Sequence, residues 1–150
     1  MKTNLTVGAY IIHEDKLLLI LHNKLQIWLP PRGHIEPNET PDQAVIREVK
    51  EEVNLDIELL QYKRLYTGRN VREECALPFY TNVHSVGDHD HFGLFYLCKA
   101  KDITHLEGNL NEIKGIRFFS LESLAVDFIT EDIQAIGKYA LELSKIQVKS

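Results

Sequence analysis

Residues 33–55 read GHIEPNETPDQAVIREVKEEVNL, and this stretch decides the fold because it predicts a well-bounded helix. Thr40 is a suitable N-cap, Pro41 fits the first helical position, and Gln43 completes a capping box with Thr40. No glycine or proline interrupts the segment between Pro41 and Asn54. We therefore expect a helix from about Thr40 to Val53.

The predicted helix concentrates acidic side chains on one side. At 100° per residue, Glu48, Glu51 and Glu52 fall within an arc of roughly 100°, and like charges at these spacings repel one another. A second arc of similar width is apolar and is formed by Val45, Ile46, Val49 and Val53. We expect the apolar face to pack on a core and the acidic face to open on a site. Carboxylate oxygens at such a site suit a hard divalent ion such as Mg²⁺.

The same stretch resembles the signature of the Nudix hydrolases. That signature is Gly, five residues, Glu, seven residues, Arg-Glu, an aliphatic residue, any residue, Glu-Glu, any residue, Gly and an aliphatic residue. The chain supplies in register Gly33, Glu39, Arg47, Glu48, Val49, Glu51, Glu52 and Leu55. Asn54 replaces the final glycine, and asparagine also tolerates the left-handed conformation at a helix end. The fixed offsets favour a metal site over a solvated charged helix face, which is the common explanation of a glutamate-rich helix.

The resemblance implies an α/β fold, a Nudix-type α/β/α sandwich with a mixed β-sheet. It also implies Mg²⁺ as the cofactor, with Mn²⁺ as a substitute. The implied metal ligands are the backbone carbonyl of Gly33 and the carboxylates of Glu48, Glu51, Glu52 and Glu112. Family members differ in the position of the general base, which lies on the signature helix or in a later loop. The segment NEIKGIRFFS at residues 111–120 is similar to that later loop and makes Glu112 a candidate, with a plain surface turn as the alternative.

The expected chemistry is hydrolysis of a phosphoanhydride by water, with no covalent enzyme intermediate. A metal ion screens the phosphate charge and lowers the pKa of the attacking water, and a nearby carboxylate accepts its proton. The candidate catalytic residues are Arg47, Glu48, Glu52 and Glu112. Arg47 lies at the edge of the acidic arc, where it is expected to hold one carboxylate in a fixed rotamer.

The sequence gives conflicting indications of the substrate. The segment LPPRGHIEP at residues 29–37 resembles asymmetric diadenosine tetraphosphate hydrolases, whereas TPDQAVIRE at residues 40–48 is similar to MutT-type nucleoside triphosphate pyrophosphatases. The candidate substrate-binding residues are Trp28, Arg32, His34, Tyr80 and His91, with His84 as a further pocket residue. Arg32 suits phosphate oxygens. Trp28 can stack on a base, although a lone tryptophan after a strand is more often part of the core.

Residues 88–91 read Asp-His-Asp-His, which suggests either a metal site or a polar loop near the active site. We favour the loop, because the spacing lacks the i, i+4 pattern of ligands on a helix.

We therefore expect a Mg²⁺-dependent hydrolase of a nucleoside diphosphate linked to another moiety. The alternatives are a dinucleoside polyphosphate hydrolase and a non-catalytic domain that senses a nucleotide.

The bulk composition agrees with a small enzyme. One hundred and fifty residues suit a single domain at positions 1–150. The net charge of −5 argues against a nucleic-acid-binding surface, and the longest apolar runs, 7–12 and 17–21, are too short to span a bilayer. Cys75 and Cys98 form neither a disulfide framework nor a metal-ligand spacing. We expect a cytoplasmic protein that acts on a small nucleotide and can form a homodimer.

Hydrophobic periodicity predicts the remaining elements. Two strands at 4–12 and 16–22 form a hairpin around the polar turn 13–15. A stiff loop at 28–32 precedes the signature. The other expected elements are short strands at 33–36 and 113–119, strands at about 79–86 and 92–100, a half-buried strand at 55–66, and a helix at about 131–145.

Overall fold

A computed structural model describes residues 2–147, with the side chains of 2–146. Within this range the chain forms eight strands and three helices. The strands are β1 (Thr3–His13), β2 (Lys16–His22), β3 (Trp28–Leu29), β4 (Arg32–His34), β5 (Ile57–Leu59), β6 (Tyr80–Ser85), β7 (Asp90–Ala100) and β8 (Ile113–Phe119). The helices are α1 (Pro41–Val53), α2 (Leu121–Leu124) and α3 (Glu131–Gln147).

The strands join in one mixed sheet built on the long parallel pair β1 and β7, in register from Thr3 opposite Asp90 to Ile12 opposite Lys99. β1 continues through an antiparallel hairpin into β2, and its other half pairs with β4. β2 then pairs with β3 and β8. The mixed sheet confirms the predicted fold class.

Both faces of the sheet are covered, because successive residues of its central strand are apolar on both sides. Val7, Ala9 and Ile11 belong to one core cluster, which also contains Val45, Val49 and Val53 of α1. Tyr10 and Ile12 belong to a second cluster, which also contains Ile133, Ile136, Ala140 and Leu141 of α3. The order helix, sheet, helix is that of the expected sandwich.

The ends of α1 follow the sequence. The Thr40 hydroxyl accepts a hydrogen bond from the Gln43 backbone N–H at 3.2 Å, and the Gln43 side chain accepts one from the Thr40 N–H at 2.9 Å. Asn54 ends the helix at φ 56° and ψ 42°, and its N–H donates to the Lys50 carbonyl at 3.1 Å. The capping box and the left-handed asparagine are both confirmed.

The predicted strand at 55–66 is wrong beyond Leu59. β5 pairs antiparallel with residues 98–100 of β7, with Leu59 opposite Cys98, and β6 pairs with the same edge of β7 at residues 90–95. A longer β5 would run into β6, so the chain leaves the sheet near Leu60 and returns at Tyr80. The carboxylate of Asp42 on α1 fastens this connection by accepting hydrogen bonds from the Ala76 N–H at 2.9 and 3.2 Å.

Smaller differences concern the segments around α1. Ile46 is 43% exposed, so the buried apolar face of α1 is narrower than predicted. The stiff loop at 28–32 contains β3, and β4 occupies Arg32–His34 instead of residues 33–36. None of the helices within residues 2–147 has the length and apolarity needed to cross a membrane.

Candidate active site

α1 places two of its carboxylates against β4 at one end of the sheet. Glu52 is only 8% exposed, and its Oε2 accepts a hydrogen bond of 3.4 Å from the Arg32 backbone N–H. The Glu48 carboxylate lies directly over the Cα of Gly33, in the space that any Cβ at this position would fill. Glycine at position 33 therefore makes room for Glu48.

Arg47 donates hydrogen bonds to several acceptors beside the Glu48 carboxylate. Its Nε and Nη2 donate to the two oxygens of Glu39 at 2.7 and 2.9 Å, and its Nη1 donates to Glu48 Oε1 at 2.8 Å. Nη2 also donates to the His34 carbonyl at 3.0 Å, and Nη1 reaches Glu51 at 3.4 Å. The expectation that Arg47 holds one carboxylate is therefore too narrow, since it contacts three through hydrogen bonds.

These contacts change the acidity of the partners. The hydrogen bonds from Arg47, and then one from the Glu36 backbone, lower the pKa of Glu39 to about 2. The hydrogen bond to Glu39 raises the pKa of Arg47, with a smaller contribution from Glu48. The pair is fully ionised at neutral pH, so this ion pair fixes α1 to the segment that precedes it.

A cavity of about 470 Å³ opens beside Glu48 and Glu52. Its polar lining consists of four carboxylates, three imidazoles, one guanidinium, one hydroxyl and the Gly33 backbone. The residues concerned are Thr6, His22, Arg32, Gly33, His34, Glu36, Glu48, Glu52, His91 and Glu112. The cavity therefore joins acidic oxygens to groups that can bind phosphate.

Ionisation of Glu48 and Glu52 inside the cavity is unfavourable without a cation to neutralise them. Burial raises the pKa of Glu52 to about 8, and repulsion from Glu48 and Glu112 adds to the shift. Burial also raises the pKa of Glu48 and outweighs the hydrogen bond from Arg47. A divalent cation would remove this repulsion.

The oxygen atoms that line the cavity are chemically suited to a hard cation. The Gly33 carbonyl and the carboxylates of Glu48, Glu52 and Glu112 supply only oxygen, which Mg²⁺ prefers. The part of the chain that the structure describes holds no three His, Cys, Asp or Glu side chains already grouped as ligands of one metal ion. Side-chain rotation is therefore needed to close these carboxylates on an ion.

The structure separates the predicted site residues into two groups. Arg32, Gly33, His34, Glu48, Glu52, His91 and Glu112 line the cavity together. Arg47, Glu51, Trp28 and Tyr80 do not line it. Glu51 departs from the expectation that three glutamates face one site, because its side chain is 56% exposed and turned toward Arg47.

Trp28 and Tyr80, both predicted to contact substrate, lie in other surroundings. The Trp28 ring packs edge-on against Phe119, with centroids 5.7 Å apart and planes at 76°, as part of the core next to α3. The Tyr80 ring on β6 lies 6.1 Å from that of Phe95 on β7 and is 39% exposed. The core interpretation of Trp28 is the one that the packing supports.

Sequence reasoning missed His22 and Glu36 as cavity residues. His22 ends the apolar strand β2, and burial, followed by the charge of Arg32, lowers the pKa of its imidazole. A polar residue at the end of an apolar strand was the available signal. Glu36 carried no comparable signal, because it lies in a polar segment full of similar residues.

Comparison with known proteins identifies relatives of the chain. A family model described as NUDIX domain matches residues 2–139. The chain is 54% identical to a Caenorhabditis elegans asymmetrical bis(5'-nucleosyl)-tetraphosphatase over 74 residues, which are 49% of this chain and 36% of that protein. It is 32% identical to an RNA pyrophosphohydrolase of Photorhabdus laumondii over 97 residues, 62% of this chain and 54% of that one. The chain therefore spans about a third to a half of the length of these relatives.

A solved structure matches over nearly its whole length. The crystal structure of a NUDIX-family hydrolase from Clostridium perfringens superposes with a TM-score of 0.78 at 30% identity. The match covers 96% of this chain and 99% of that chain. The three-layer arrangement and the position of α1 beside the sheet are thus shared with a solved relative.

Proposed function

The chain belongs to the NUDIX family, and from this premise we propose that it is a Mg²⁺-dependent hydrolase of a nucleoside diphosphate linked to another moiety. The proposed reaction cleaves a phosphoanhydride bond by attack of water at phosphorus. Mn²⁺ is the proposed substitute for Mg²⁺.

One observation carries the proposal. Glu48 and Glu52 share a cavity wall with Gly33, and both carboxyl groups have raised pKa values because they are buried side by side. The hydrogen bonds that Arg47 and the Arg32 backbone N–H donate to this pair do not offset its burial. A divalent ion is the partner that would make both carboxylates stable in their charged form. The bound ion supplies charge neutralisation at phosphate and a lowered pKa of water.

The other residues have roles that follow from their positions. Arg32 lines the same cavity and offers a guanidinium to phosphate oxygens. Arg47 holds Glu48 through the hydrogen bond from Nη1, so its role is to position a ligand. We assign the proton of the attacking water to Glu112, which is exposed at the rim of the cavity and leaves Glu48 and Glu52 free to bind the metal.

A substrate panel tests the proposal. The protein is incubated with Mg²⁺ and nucleoside triphosphates, dinucleoside polyphosphates, ADP-ribose or nucleotide sugars, in water enriched in ¹⁸O. We expect one class to be turned over, with one ¹⁸O in a phosphate of the product. The Glu52→Gln variant should lose at least about 100-fold in kcat, the lower limit for losing a group on which proton transfer or metal binding depends.

Three variants make the test specific. Glu58→Gln changes an exposed glutamate of β5 in the same way and should leave turnover unchanged. Glu112→Gln should lower kcat by about 100-fold or more, because it removes the proposed proton acceptor. Glu51→Gln should cost less than Glu52→Gln, since Glu51 lies outside the cavity. Unchanged turnover in Glu52→Gln would refute the assignment of the site.

A dinucleoside polyphosphate hydrolase is the second candidate. It is supported by the 54% identity over 74 residues to the Caenorhabditis elegans tetraphosphatase. Higher kcat/KM for diadenosine tetraphosphate than for any nucleoside triphosphate would select it. Tight binding of a nucleotide without release of product would instead indicate a non-catalytic sensor.

We further propose that residues 1–150 form one domain of a cytoplasmic protein that binds a small nucleotide and assembles as a homodimer. Limited proteolysis, cell fractionation and sedimentation velocity test these points separately.

A further inference from the structure

Three histidines surround His91 at the edge of the cavity and form a cluster of four imidazoles with it. The ring centroid of His91 lies 5.1 Å from that of His89, 5.2 Å from that of His34 and 5.4 Å from that of His84. His91 lies on β7 and His89 in the turn before it, while His34 comes from β4 and His84 from β6. The oxygen-based site described above uses none of the imidazole nitrogens of this cluster.

In two of these imidazoles, a neighbouring oxygen accepts a hydrogen bond from Nδ1. His89 Nδ1 lies 2.6 Å from Asp88 Oδ1, and this contact lowers the pKa of Asp88, which is therefore a carboxylate that only accepts. His84 Nδ1 lies 2.9 Å from Asn82 Oδ1, which also accepts. In the neutral form of each ring the proton is then on Nδ1, which leaves a lone pair on Nε2.

The two lone pairs are not matched by donors. His84 Nε2 is buried and has no hydrogen-bond partner among the described residues. His89 Nε2 faces His91 Nε2 at 3.2 Å. A proton on His91 Nε2 would satisfy His89, but the buried nitrogen of His84 would still lack a hydrogen-bond partner, which is unfavourable for a buried polar atom.

The spacing of the facing nitrogens fits a shared cation. Two imidazoles bound to one tetrahedral Zn²⁺ at about 2.0–2.1 Å have nitrogens roughly 3.3–3.4 Å apart, close to the 3.2 Å between His89 and His91. Imidazole suits borderline transition-metal ions, whereas Mg²⁺ takes oxygen. The Asp88 carboxylate on His89 Nδ1 is the outer partner that metal-bound histidines usually have.

We propose that His89 and His91 chelate a transition-metal ion of the Zn²⁺ class, with His84 as the third ligand. The ligand set includes none of the carboxylates of α1, although His91 also lines the cavity that contains Glu48 and Glu52. Within residues 2–147 the three side chains do not yet converge on one point, so movement of the His84 side chain toward the facing nitrogens of His89 and His91 completes the site when the ion binds. This revises the expectation that residues 88–91 form only a polar loop, because Asp90 and His91 belong to β7.

The test is a titration of the tag-free full chain with Zn²⁺ in the presence of millimolar Mg²⁺, using a chromophoric chelator as competitor. Co²⁺ replaces Zn²⁺ in a parallel sample, in which the visible absorption reports nitrogen coordination. The main variant is His89→Ala, since the His89 side chain is 28% exposed and its loss should not disturb the core. Thermal unfolding of each variant without metal verifies the fold.

We expect one equivalent of Zn²⁺ that Mg²⁺ does not displace. His89→Ala and His91→Ala should weaken binding at least tenfold, and Asp88→Asn should weaken it about tenfold through the lost outer partner. His105→Ala removes an exposed histidine elsewhere and should bind Zn²⁺ like the unmodified chain, as should Glu52→Gln.

Three results would overturn the proposal. These are no stoichiometric Zn²⁺, full displacement of Zn²⁺ by Mg²⁺, or loss of the ion in Glu52→Gln with retention in His89→Ala. Because Glu52→Gln abolishes the proposed hydrolysis and leaves the Zn²⁺ site intact, failure of one proposal can be told from failure of the other.

Discussion

The guanidinium of Arg47 and the carboxylate of Glu39 form a two-pronged pair, with Nε to Oε2 at 2.7 Å and Nη2 to Oε1 at 2.9 Å. Such paired bonds fix orientation as well as charge. The pair joins α1 to the segment before it, and the remaining donors of Arg47 hold Glu48 and the His34 carbonyl. The arginine that is fixed by Glu39 therefore also positions a proposed metal ligand.

Replacing Arg47 with lysine should impair catalysis even though the charge is kept. An ammonium cannot make the planar, paired contact to Glu39 while also holding Glu48. We expect kcat to fall by about 10- to 100-fold, the range seen when a group that orients a metal ligand is lost, with a matching loss of Mg²⁺ affinity. Lys50→Gln on the same helix removes only an exposed pair with Asp56 at 3.3 Å and should have little effect. Equal activities in the two variants would contradict this role of Arg47.

Adding a single methyl group at Gly33 should disturb the site. A Cβ there would occupy the space of the Glu48 carboxylate, so Gly33→Ala must displace Glu48 from the cavity. We expect Mg²⁺ affinity to fall at least tenfold, as measured by calorimetry. The control is Gly115→Ala, whose Cβ would meet its nearest neighbours only at 3.4 and 3.5 Å. Normal Mg²⁺ binding by Gly33→Ala would show that Glu48 is not a ligand.

Glu52 should make the metal-free protein less stable as the pH rises. Its folded-state pKa of about 8 lies above the value near 4.3 of an unfolded glutamate, so the folded state binds the proton more tightly between these values. The free energy of unfolding then falls as pH rises from about 4.5 to about 8, and the cost is complete above pH 8. In EDTA, Glu52→Gln should be stabilised by roughly 2–4 kcal/mol at pH 9 relative to the unmodified chain.

The same comparison at pH 5 provides the check. There Glu52 is protonated in the folded protein, so urea denaturation should give nearly equal free energies of unfolding for Glu52→Gln and the unmodified chain. An equal difference at both pH values would mean that Glu52 does not titrate in this range.

The residue that ends α1 should tolerate glycine better than alanine. Asn54 has the left-handed φ of 56°, and its Nδ2 donates to the His105 carbonyl at 3.0 Å. Asn54→Ala puts a Cβ in this conformation without a compensating bond and should destabilise the fold by about 1–2 kcal/mol. Asn54→Gly loses the bond but relieves the backbone and should change the free energy of unfolding by less than about 1 kcal/mol. Equal losses would contradict the backbone explanation.

Much of the fold was predictable because the relevant signals are local. The caps of α1 depend on Thr40, Gln43 and Asn54, which lie within a turn of the groups that they satisfy. The hairpin of β1 and β2 and the strand Ile113–Phe119 also follow from apolar runs bounded by polar residues. The predicted length of β5 was too long. Its true length depends on which strand pairs with the edge of β7, and no pattern within residues 55–66 indicates that.

The candidate site was predictable in composition but not in arrangement. Gly33, Glu48 and Glu52 were identified from fixed offsets, and the structure places them in one cavity. Glu51 has the same residue type and lies in the same arc of the helix, yet its side chain is drawn to Arg47 and solvent. Residues 88–91 were identified as a possible metal site because His89 and His91 are two residues apart, but the sequence does not show that His34 and His84, which lie on other strands, also contact His91.

The sequence by itself determined the helix, its caps and the spacing of its carboxylates, because these depend on backbone and side-chain groups only a few residues apart. Only the tertiary structure decided which carboxylates are buried, how far β5 extends and which histidines meet. Burial and cross-strand proximity arise from segments far apart in the chain, such as Leu17 of β2 and its partner Phe119 of β8. Desolvation, which raises the pKa of Glu52 and prepares the proposed metal site, exists only once those segments have packed together.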